Sequence, residues 1–262
     1  MRRNRFNYFR KMEFQDHFSA QSAIYAQSRP IYPNELYEWL AAITPYNDTC
    51  WDCATGNGQA AVGLARYFKQ IIATDASSNQ ISNAVACKNI QYKVALAEKS
   101  GLPNASVDLI TVATAAHWFN HELFYNEAKR VLRTNGILAV WAYGEAKISP
   151  EIDEIMNWFM YDFLYSYWPD ARWYVRDRYE NLPFPFELLE APSFSSRLSF
   201  NKDHWLNYIR SWSAYNGFIQ KNGTDPIEHL LPHLDKVWSS DQTDLKPIEW
   251  PLYLKCARLN VY

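Results

Sequence analysis

The sequence predicts an α/β fold with a doubly wound, mostly parallel sheet. A strand-like apolar run over residues 49–53 passes into a glycine-punctuated loop and then into a helical segment from Gln59, which is how doubly wound domains open. Strand-like and helix-like segments then alternate, which argues for parallel strands joined by right-handed crossovers. Asp75 ends the second strand-like run, seventeen residues after Gly58. Together these observations predict a crevice for a nucleotide-like ligand at the carboxyl ends of the strands.

Length and composition allow one large domain with an elaboration or two small domains, with a sizeable core. The 262 residues are 48% hydrophobic, and 26 basic residues nearly balance 28 acidic ones, so no nucleic-acid footprint is expected. No run approaches the ~20 apolar residues of a membrane span. Residues 1–12 are basic and have no apolar stretch after them, which predicts a flexible arm and not a secretory signal. We therefore expect a cytoplasmic protein without membrane or nucleic-acid partners.

The cysteines do not form a metal or disulfide framework. Cys50 and Cys53 have C-x-x-C spacing, but they flank Asp52 and have no further Cys or His nearby. We expect a buried, reduced pair of a cytosolic protein and no metal site.

Residues 13–45 are expected to form a helical cover in front of the sheet. A helix is predicted over 13–31, with a turn at 29–33, and Pro33-Asn34-Glu35 opens a second helix through Leu40.

Residues 46–145 carry the alternating pattern of the predicted sheet. The predicted strands are 49–53, 70–75, 90–94, 107–114 and 137–142. The predicted helices are 59–68, 78–88 and 120–132. Asn135-Gly136 supplies the turn into the fifth strand.

Residues 151–190 form an aromatic-rich insertion. Twelve aromatic residues are mixed here with Arg172, Arg176 and Arg178, and prolines interrupt any regular run. One interpretation is a lid that lines an apolar pocket with a few cationic groups. The other is a surface elaboration whose rings pack on one another, and the sequence leaves both open.

Residues 191–262 return to regular elements that would complete the sheet. A strand over 194–200 precedes helices over 202–220 and 226–238, and a last strand covers 249–259. Pro251 suits an edge strand or a strand start, because proline cannot donate to a ladder. With the preceding segments, these elements would make one domain over 13–262.

The loop and Asp75 together predict a ribose-bearing cofactor. Gly56 and Gly58 let the backbone approach a ligand closely, and a carboxylate after the second strand can grip ribose hydroxyls. The alternative is an ordinary tight turn with Asp75 as a helix cap.

Five stretches resemble class I S-adenosylmethionine-dependent methyltransferases, and in particular the small-molecule (type 11) group that includes the trans-aconitate and cantharidin enzymes. They are Asp52 through Gly58, Asp75, Ala97-Glu98 with residues 102–110, the His-Trp stretch 116–119, and residues 129–138. Residues 25–33 resemble the N-terminal cover of that group. The resemblance implies S-adenosylmethionine as cofactor and a seven-stranded sheet.

The resemblance also implies the roles of single residues. Gly56 to Gly58 would lie beside the methionine portion, Asp75 on the ribose, and Ala97 with Glu98 beside the adenine. Arg29 would pair with the cofactor carboxylate, or it is a surface arginine before a proline. The implied cofactor-binding residues are Tyr25, Arg29, Asp52, Ala54, Gly56, Asn57, Gly58, Asp75, Ala76, Gln80, Ala97, Glu98, Thr114, Ala115 and His117.

Ala54 departs from the pattern of the resembling group, which usually has glycine two positions before Gly56. A methyl group there is tolerable if φ stays negative, although it could crowd the cofactor. We expect an intact enzyme.

The resemblance implies in-line transfer of an activated methyl group, in which catalysis comes mainly from proximity. A carboxylate acceptor would need no base, whereas a protonated acceptor would, and His117 is then the candidate. A positioning role for His117 is favoured, since the sequence shows no carboxylate to orient it. The expected reaction is O-methylation of a small organic acid by a monomer or weak dimer. The expected substrate residues are Trp118, Arg172, Trp173, Arg176 and Arg178.

Two other functions share parts of the pattern. An NAD-dependent oxidoreductase would have the glycine loop and Asp75, but it would not need the His-Trp stretch. A regulatory protein could keep the fold and bind S-adenosylmethionine without turnover.

Overall fold

The structure, a computed structural model, describes residues 29–259. The predicted arm 1–12, most of the predicted helix 13–31, and Tyr25 lie outside the described residues. The turn at 29–33 and everything from there to residue 259 can be compared with the sequence.

A seven-stranded sheet organises the described residues. Its spatial order is β3-β2-β1-β4-β5-β7-β6, and β7 runs antiparallel to both of its neighbours while the remaining pairs are parallel. The predicted doubly wound, mostly parallel fold is thereby confirmed. The strands are β1 Thr49–Cys53, β2 Gln70–Asp75, β3 Ile90–Val94, β4 Val107–Ala113, β5 Leu132–Tyr143, β6 Phe194–Phe200 and β7 Lys246–Arg258.

Helices connect the strands and cover both faces. No helix of the described part is both long and apolar enough to span a membrane. The α-helices are α1 Asn34–Ile43, α2 Gln59–Leu64, α3 Ser78–Ser82, α4 His121–Val131, α5 Pro150–Trp158, α6 Arg172–Arg176, α7 Lys202–Arg210, α8 Ser213–Asn222 and α9 Ile227–Leu234. Short helical turns of other types cover Ala116–Trp118, Phe159–Phe163 and Tyr165–Tyr167.

The two faces of the sheet carry separate hydrophobic clusters, as the alternation of side chains along β1 illustrates. Cys50 packs in one cluster with Trp141, whereas Trp51 and Cys53 pack in the other with Phe124. Successive side chains of a strand point to opposite faces. Cys50 and Cys53 are buried and free, as expected, and they belong to opposite faces, so they do not form a disulfide.

The predicted helix over 202–220 is wrong as a single element. The chain leaves the helix after Arg210, and Trp212 is extended with ψ 142° before α8 begins at Ser213. The break places the buried Trp212 against Trp168 of the insertion, with ring centroids 5.6 Å apart. Packing of a large ring therefore overrides a helical pattern that continues through this point.

The fifth strand is longer than predicted, and the third helix is shorter. Val107 pairs with Leu132 but Leu109 pairs with Ile137, so β5 bulges between these pairs. Asn135 takes a left-handed φ of 63° there, a conformation that asparagine tolerates. Helix α3 ends at Ser82, well before the predicted residue 88.

Pro251 lies in an interior strand, so the expectation of an edge or a strand start is wrong. It pairs with Ser195 of β6, and its carbonyl accepts a hydrogen bond from Gly144 N at 2.7 Å. The absent N–H would point to the same side as that carbonyl, where the ladder with β5 ends at Tyr143 and Leu252. The proline is tolerated because it sits where that ladder stops.

Candidate functional site

The loop after β1 uses left-handed backbone at three positions. Ala54, Gly56 and Gly58 have φ angles of 54°, 57° and 91°. The condition under which a methyl group at Ala54 would be tolerated, a negative φ, is therefore not met. An alanine pays a steric penalty there of roughly 1–2 kcal/mol that a glycine would not. Thr55 N donates to Thr74 O at 2.9 Å, which fixes this turn to the end of β2.

The two glycines of the loop have different surroundings. A Cβ built on Gly56 would have only the Gln80 amide oxygen as a neighbour, at 4.0 Å, so Gly56 faces open space. A Cβ on Gly58 would lie 2.2 Å from the Tyr92 hydroxyl. Tyr92 of β3 therefore occupies the space that a side chain at position 58 would need, whereas the space beside Gly56 is open to a ligand.

Asp75 lies at the carboxyl end of β2 and ties two loops together. Its Oδ2 accepts from Gly56 N at 2.9 Å, and its Oδ1 accepts from Ser77 N at 2.8 Å. The cap of α3 is Ser77, whose hydroxyl accepts from Gln80 N. The alternative role of Asp75 as a helix cap is therefore wrong, and Ala76 and Gln80 follow it on the same rim.

Asp52 is fully buried beneath the loop. Its two carboxylate oxygens accept hydrogen bonds from the hydroxyls of Thr55 and Thr111. Burial raises the pKa of Asp52 to about 6, although these hydrogen bonds act in the opposite direction. The side chain therefore braces the loop between β1 and β4.

The segment after β3 approaches the loop from the other side. Ala97 is buried, and Glu98 Oε1 accepts from Asn120 N at 2.9 Å, just before α4. Asn57 contributes its carbonyl to Val85 N at 3.1 Å. These contacts form the border at which the resemblance places the adenine.

Thr114, Ala115 and His117, which the resemblance implies as cofactor-binding residues, follow the end of β4. Thr114 has a left-handed φ of 56°, and its hydroxyl lies 3.0 Å from that of Tyr32. Ala115 leads into a short helical turn that contains His117 and Trp118. His117 is buried, and its Nδ1 lies 2.9 Å from the hydroxyl of Tyr179. Burial lowers the pKa of His117 to about 3, so its ring is neutral.

The turn at 29–33 spans the start of α2 and the end of β5. The Pro30 carbonyl accepts from Gln59 Nε2 at 2.9 Å and from the Tyr143 hydroxyl. Tyr32 stacks on Tyr143 with ring centroids 4.8 Å apart. Arg29 Nη2 donates to Ser211 O at 3.2 Å, so the turn also contacts the α7–α8 junction.

The insertion supplies Arg172, whose surroundings differ from those of the other two predicted arginines. Arg172 Nη1 is buried and has no hydrogen-bond partner in the described part of the chain. Arg176 is exposed and lies over the rings of Tyr161 and Trp173. Arg178 is exposed and lies over the ring of Tyr253.

Sequence reasoning missed several residues that the fold brings to this site. They come from the cover, from α2, from the end of β5 and from the insertion. They are Tyr32, Gln59, Tyr143, Glu145 and Tyr179. Tyr32 and Tyr143 lie in segments that the sequence analysis singled out, but no sequence pattern indicates that these two residues contact each other.

These residues fit S-adenosylmethionine. Open space borders Gly56, a carboxylate stands at the end of β2, and the turn at 29–33 closes over the start of α2. When the cofactor is present, Gly56 and Asn57 would border its methionine portion, Asp75 its ribose, and Ala97 its adenine. The hydroxyl and imidazole groups after β4 then remain for the acceptor.

Comparison with known proteins agrees with this geometry. A family model described as a methyltransferase domain matches residues 51–140. A Dictyostelium discoideum protein named as a methyltransferase is 37% identical over 248 residues, which cover 92% of this chain and 94% of that protein. A Saccharomyces cerevisiae protein named as an S-adenosylmethionine-dependent methyltransferase is 24% identical over 277 residues, which cover 91% and 95%.

A solved structure from Anaeromyxobacter dehalogenans, described as a type II methyltransferase, is similar over nearly the whole fold. It has a TM-score of 0.81 and 35% identity, and the match covers 88% of this chain and 97% of that one. The sheet order, the loop after β1 and the relatives agree. The chain belongs to the class I S-adenosylmethionine-dependent methyltransferases, and S-adenosylmethionine is its cofactor.

Proposed function

We propose that this methyltransferase transfers the methyl group to a carboxylate oxygen of a small organic acid. The observation that carries the proposal is the guanidinium of Arg172, whose Nη1 is buried and has no hydrogen-bond partner among residues 29–259. An unpaired buried donor is costly, and a charged one more so. A carboxylate is the group that a guanidinium binds best, through two parallel hydrogen bonds.

Arg172 is close to the groups that would surround the acceptor. Its charge acts on His117, and Tyr208, Glu145, Arg29 and Tyr179 in turn act on Arg172. Burial lowers the pKa of Arg172, but an arginine keeps its proton in proteins. A fixed positive charge therefore faces the region between the end of β4 and the insertion.

The balance of charge in this region also favours an anionic acceptor. Glu145, which follows β5, is half-buried, and burial raises its pKa. Four cations act on it: Arg172, Arg176, Arg178 and Lys147. Glu145 has no ion pair within 4.0 Å in the described structure. The cationic charges outnumber the acidic one, and a small acid would reduce the excess.

The chemistry requires little from the side chains beyond positioning. When bound, S-adenosylmethionine supplies a methyl carbon that gains a bond to the acceptor oxygen as its bond to sulfur breaks, with the electron pair left on sulfur. Arg172 would orient the acceptor, and the turn at 29–33 would exclude water. A carboxylate is ionised at neutral pH, so no residue has to remove a proton, and proximity can supply ~7–11 kcal/mol.

The test is a screen of small mono- and dicarboxylic acids with methyl-labelled S-adenosylmethionine. Formation of a base-labile methyl ester is the expected result. With the best acceptor, Arg172→Lys should raise the acceptor KM at least tenfold, because lysine keeps the charge but loses the bidentate fork. A lost charged hydrogen bond of ~1.5–3 kcal/mol gives a change of this size.

Arg176→Lys is the matched control, since this exposed arginine lies on the same short helix. It should leave the acceptor KM within about twofold, and both variants should keep the cofactor affinity of the parent. An uncharged molecule as best acceptor, or an unchanged KM in Arg172→Lys, would refute the proposal.

A further inference from the structure

We propose that Tyr179 fixes His117 in the tautomer that carries its proton on Nε2, so that His117 donates a hydrogen bond to the acceptor and does not remove a proton from it. Tyr179 is then a positioning residue that acts through His117. The identity of the acceptor rests on the proposed function above. The tautomer itself rests only on contacts within this chain.

The hydrogen bonds of the Tyr179 hydroxyl set the direction of its contact with His117. The hydroxyl lies 2.9 Å from Nδ1. A phenol hydroxyl has one proton that it can donate. Tyr179 is fully buried, and within the described residues Nδ1 is the acceptor in reach of that proton. Buried donors are rarely left without an acceptor, so Nδ1 accepts.

The neutral imidazole ring of His117 carries one N–H proton, either on Nδ1 or on Nε2. Burial, helped by the positive charge of Arg172, lowers the pKa of His117 to about 3 and keeps the ring neutral. A neutral imidazole has one donor and one acceptor nitrogen. With Nδ1 occupied as acceptor, the proton is on Nε2, which has no partner of its own among residues 29–259.

The backbone of the insertion is held in an unusual conformation at this contact. Arg178 and Tyr179 are consecutive non-glycine residues with left-handed φ angles of 54° and 60°. Such conformations persist only where surrounding contacts enforce them. Here the ring of Tyr179 is buried against the sheet and Arg178 lies 5.9 Å from the ring of Tyr253. The contact with His117 is therefore built into the fold of the insertion.

The consequence for the reaction is a division of roles between two donors. The Nε2–H of His117 can donate to one oxygen of an acceptor carboxylate, while Arg172 supplies the positive charge. A ring nitrogen that already carries a proton has no lone pair with which to accept another. The acceptor oxygen must therefore arrive deprotonated, which fits a carboxylate and does not fit an alcohol.

The first test measures the tautomer and needs no turnover. In protein labelled with ¹⁵N-histidine, long-range proton–nitrogen spectra should show the His117 ring, assigned by its absence in His117→Gln, as the Nε2–H form near pH 7. Tyr179→Phe keeps the ring and removes the hydroxyl, and it should yield a mixture of tautomers. Tyr174→Phe is the matched control, because the ring of this tyrosine, which also lies in the insertion, contacts the ring of His121. A parent spectrum of the Nδ1–H form would overturn the proposal.

The second test uses kinetics with the acceptor found in the screen. Tyr179→Phe should lower kcat roughly threefold to tenfold without changing cofactor affinity, as expected for one lost hydrogen bond. His117→Gln retains a donor and should keep more activity than His117→Leu. Equal losses in these two variants would refute the donor role. If instead no carboxylic acid is methylated, the proposed function fails while the tautomer measurement still decides this inference.

Discussion

Asp75 is the residue on which we expect cofactor affinity to depend most. Its oxygens accept from Gly56 N and Ser77 N, so it is held at the rim where the resemblance places the ribose. Asp75→Ala should weaken S-adenosylmethionine binding roughly tenfold to several-hundredfold, because each charged hydrogen bond contributes ~1.5–3 kcal/mol. Isothermal titration calorimetry measures the change directly.

Two further variants distinguish the contact of Asp75 with the ribose from its support of the loop after β1. Asp75→Asn keeps an acceptor oxygen for the loop and should still lose most of the affinity. Asp162→Ala, on an exposed carboxylate of the insertion, should have none of these effects. Affinity within twofold of the parent in Asp75→Ala would remove Asp75 from the site.

Ala54 offers a test of backbone strain in the cofactor loop. Its φ of 54° disfavours a Cβ, so Ala54→Gly should raise the free energy of unfolding by about 1 kcal/mol. The same substitution at Ala42, which is exposed in α1, should instead lower it by up to about 1 kcal/mol. Urea denaturation measures both. Destabilisation by Ala54→Gly would show that the alanine methyl group contributes packing that outweighs the strain.

At the scale of elements, one buried lysine joins α7 to the segment after α9. Lys202 Nζ donates to Asp235 Oδ1 at 2.5 Å, to Ser240 Oγ at 2.7 Å and to Trp238 O at 3.1 Å. Lys202→Met should destabilise the fold by about 2–4 kcal/mol, since the buried Trp238 carbonyl loses a donor and the ion pair is lost.

The midpoint of urea unfolding, at an unchanged m-value, is the measure of this change. Lys236→Met is the control, because this lysine is exposed and has no ion pair in the described structure. It should shift the free energy of unfolding by less than about 0.5 kcal/mol. An equal effect in both variants would mean that the junction does not depend on Lys202.

At the scale of the whole molecule, two buried groups give stability opposite dependences on pH. The pKa of Asp52 is raised to about 6, so its contribution to stability is lost as pH rises from about 4 to 6. The pKa of His117 is lowered to about 3, so its contribution is lost as pH falls below about 6.5. Each group changes the free energy of unfolding by about 1.4 kcal/mol per pH unit. Between pH 4 and 6 the two changes have opposite signs.

Substituting one of these two groups should reveal the pH dependence of stability that the other group causes. Relative to the parent, His117→Gln should gain about 2 kcal/mol in the free energy of unfolding when the pH is lowered from 6.5 to 5. Asp52→Asn should lose about 2 kcal/mol relative to the parent between pH 6 and 4.5. Denaturation curves at several pH values measure both differences. Parallel curves for parent and variants would contradict the shifted pKa values.

The sequence by itself determined the fold class, the family and the cofactor. A strand, a glycine loop and a helix are local patterns, and the carboxylate at Asp75 follows at a fixed spacing, so short windows were sufficient. The break at Trp212 and the placing of Pro251 were missed because neighbours distant in sequence decide them. The site roles that the resemblance implied, from Asp75 to His117, stay predictions.

Only the tertiary structure decided how the acceptor end of the site is made. Tyr179 meets His117 across 62 positions of sequence, and Tyr32 meets Thr114 across 82. It also separated Arg172, whose Nη1 is buried and has no partner in the described part of the chain, from the exposed Arg176 and Arg178. Nothing local distinguishes three arginines within seven residues, since burial depends on what the rest of the chain packs against them. Likewise, the proton on a histidine depends on the one hydroxyl that the fold brings within 2.9 Å.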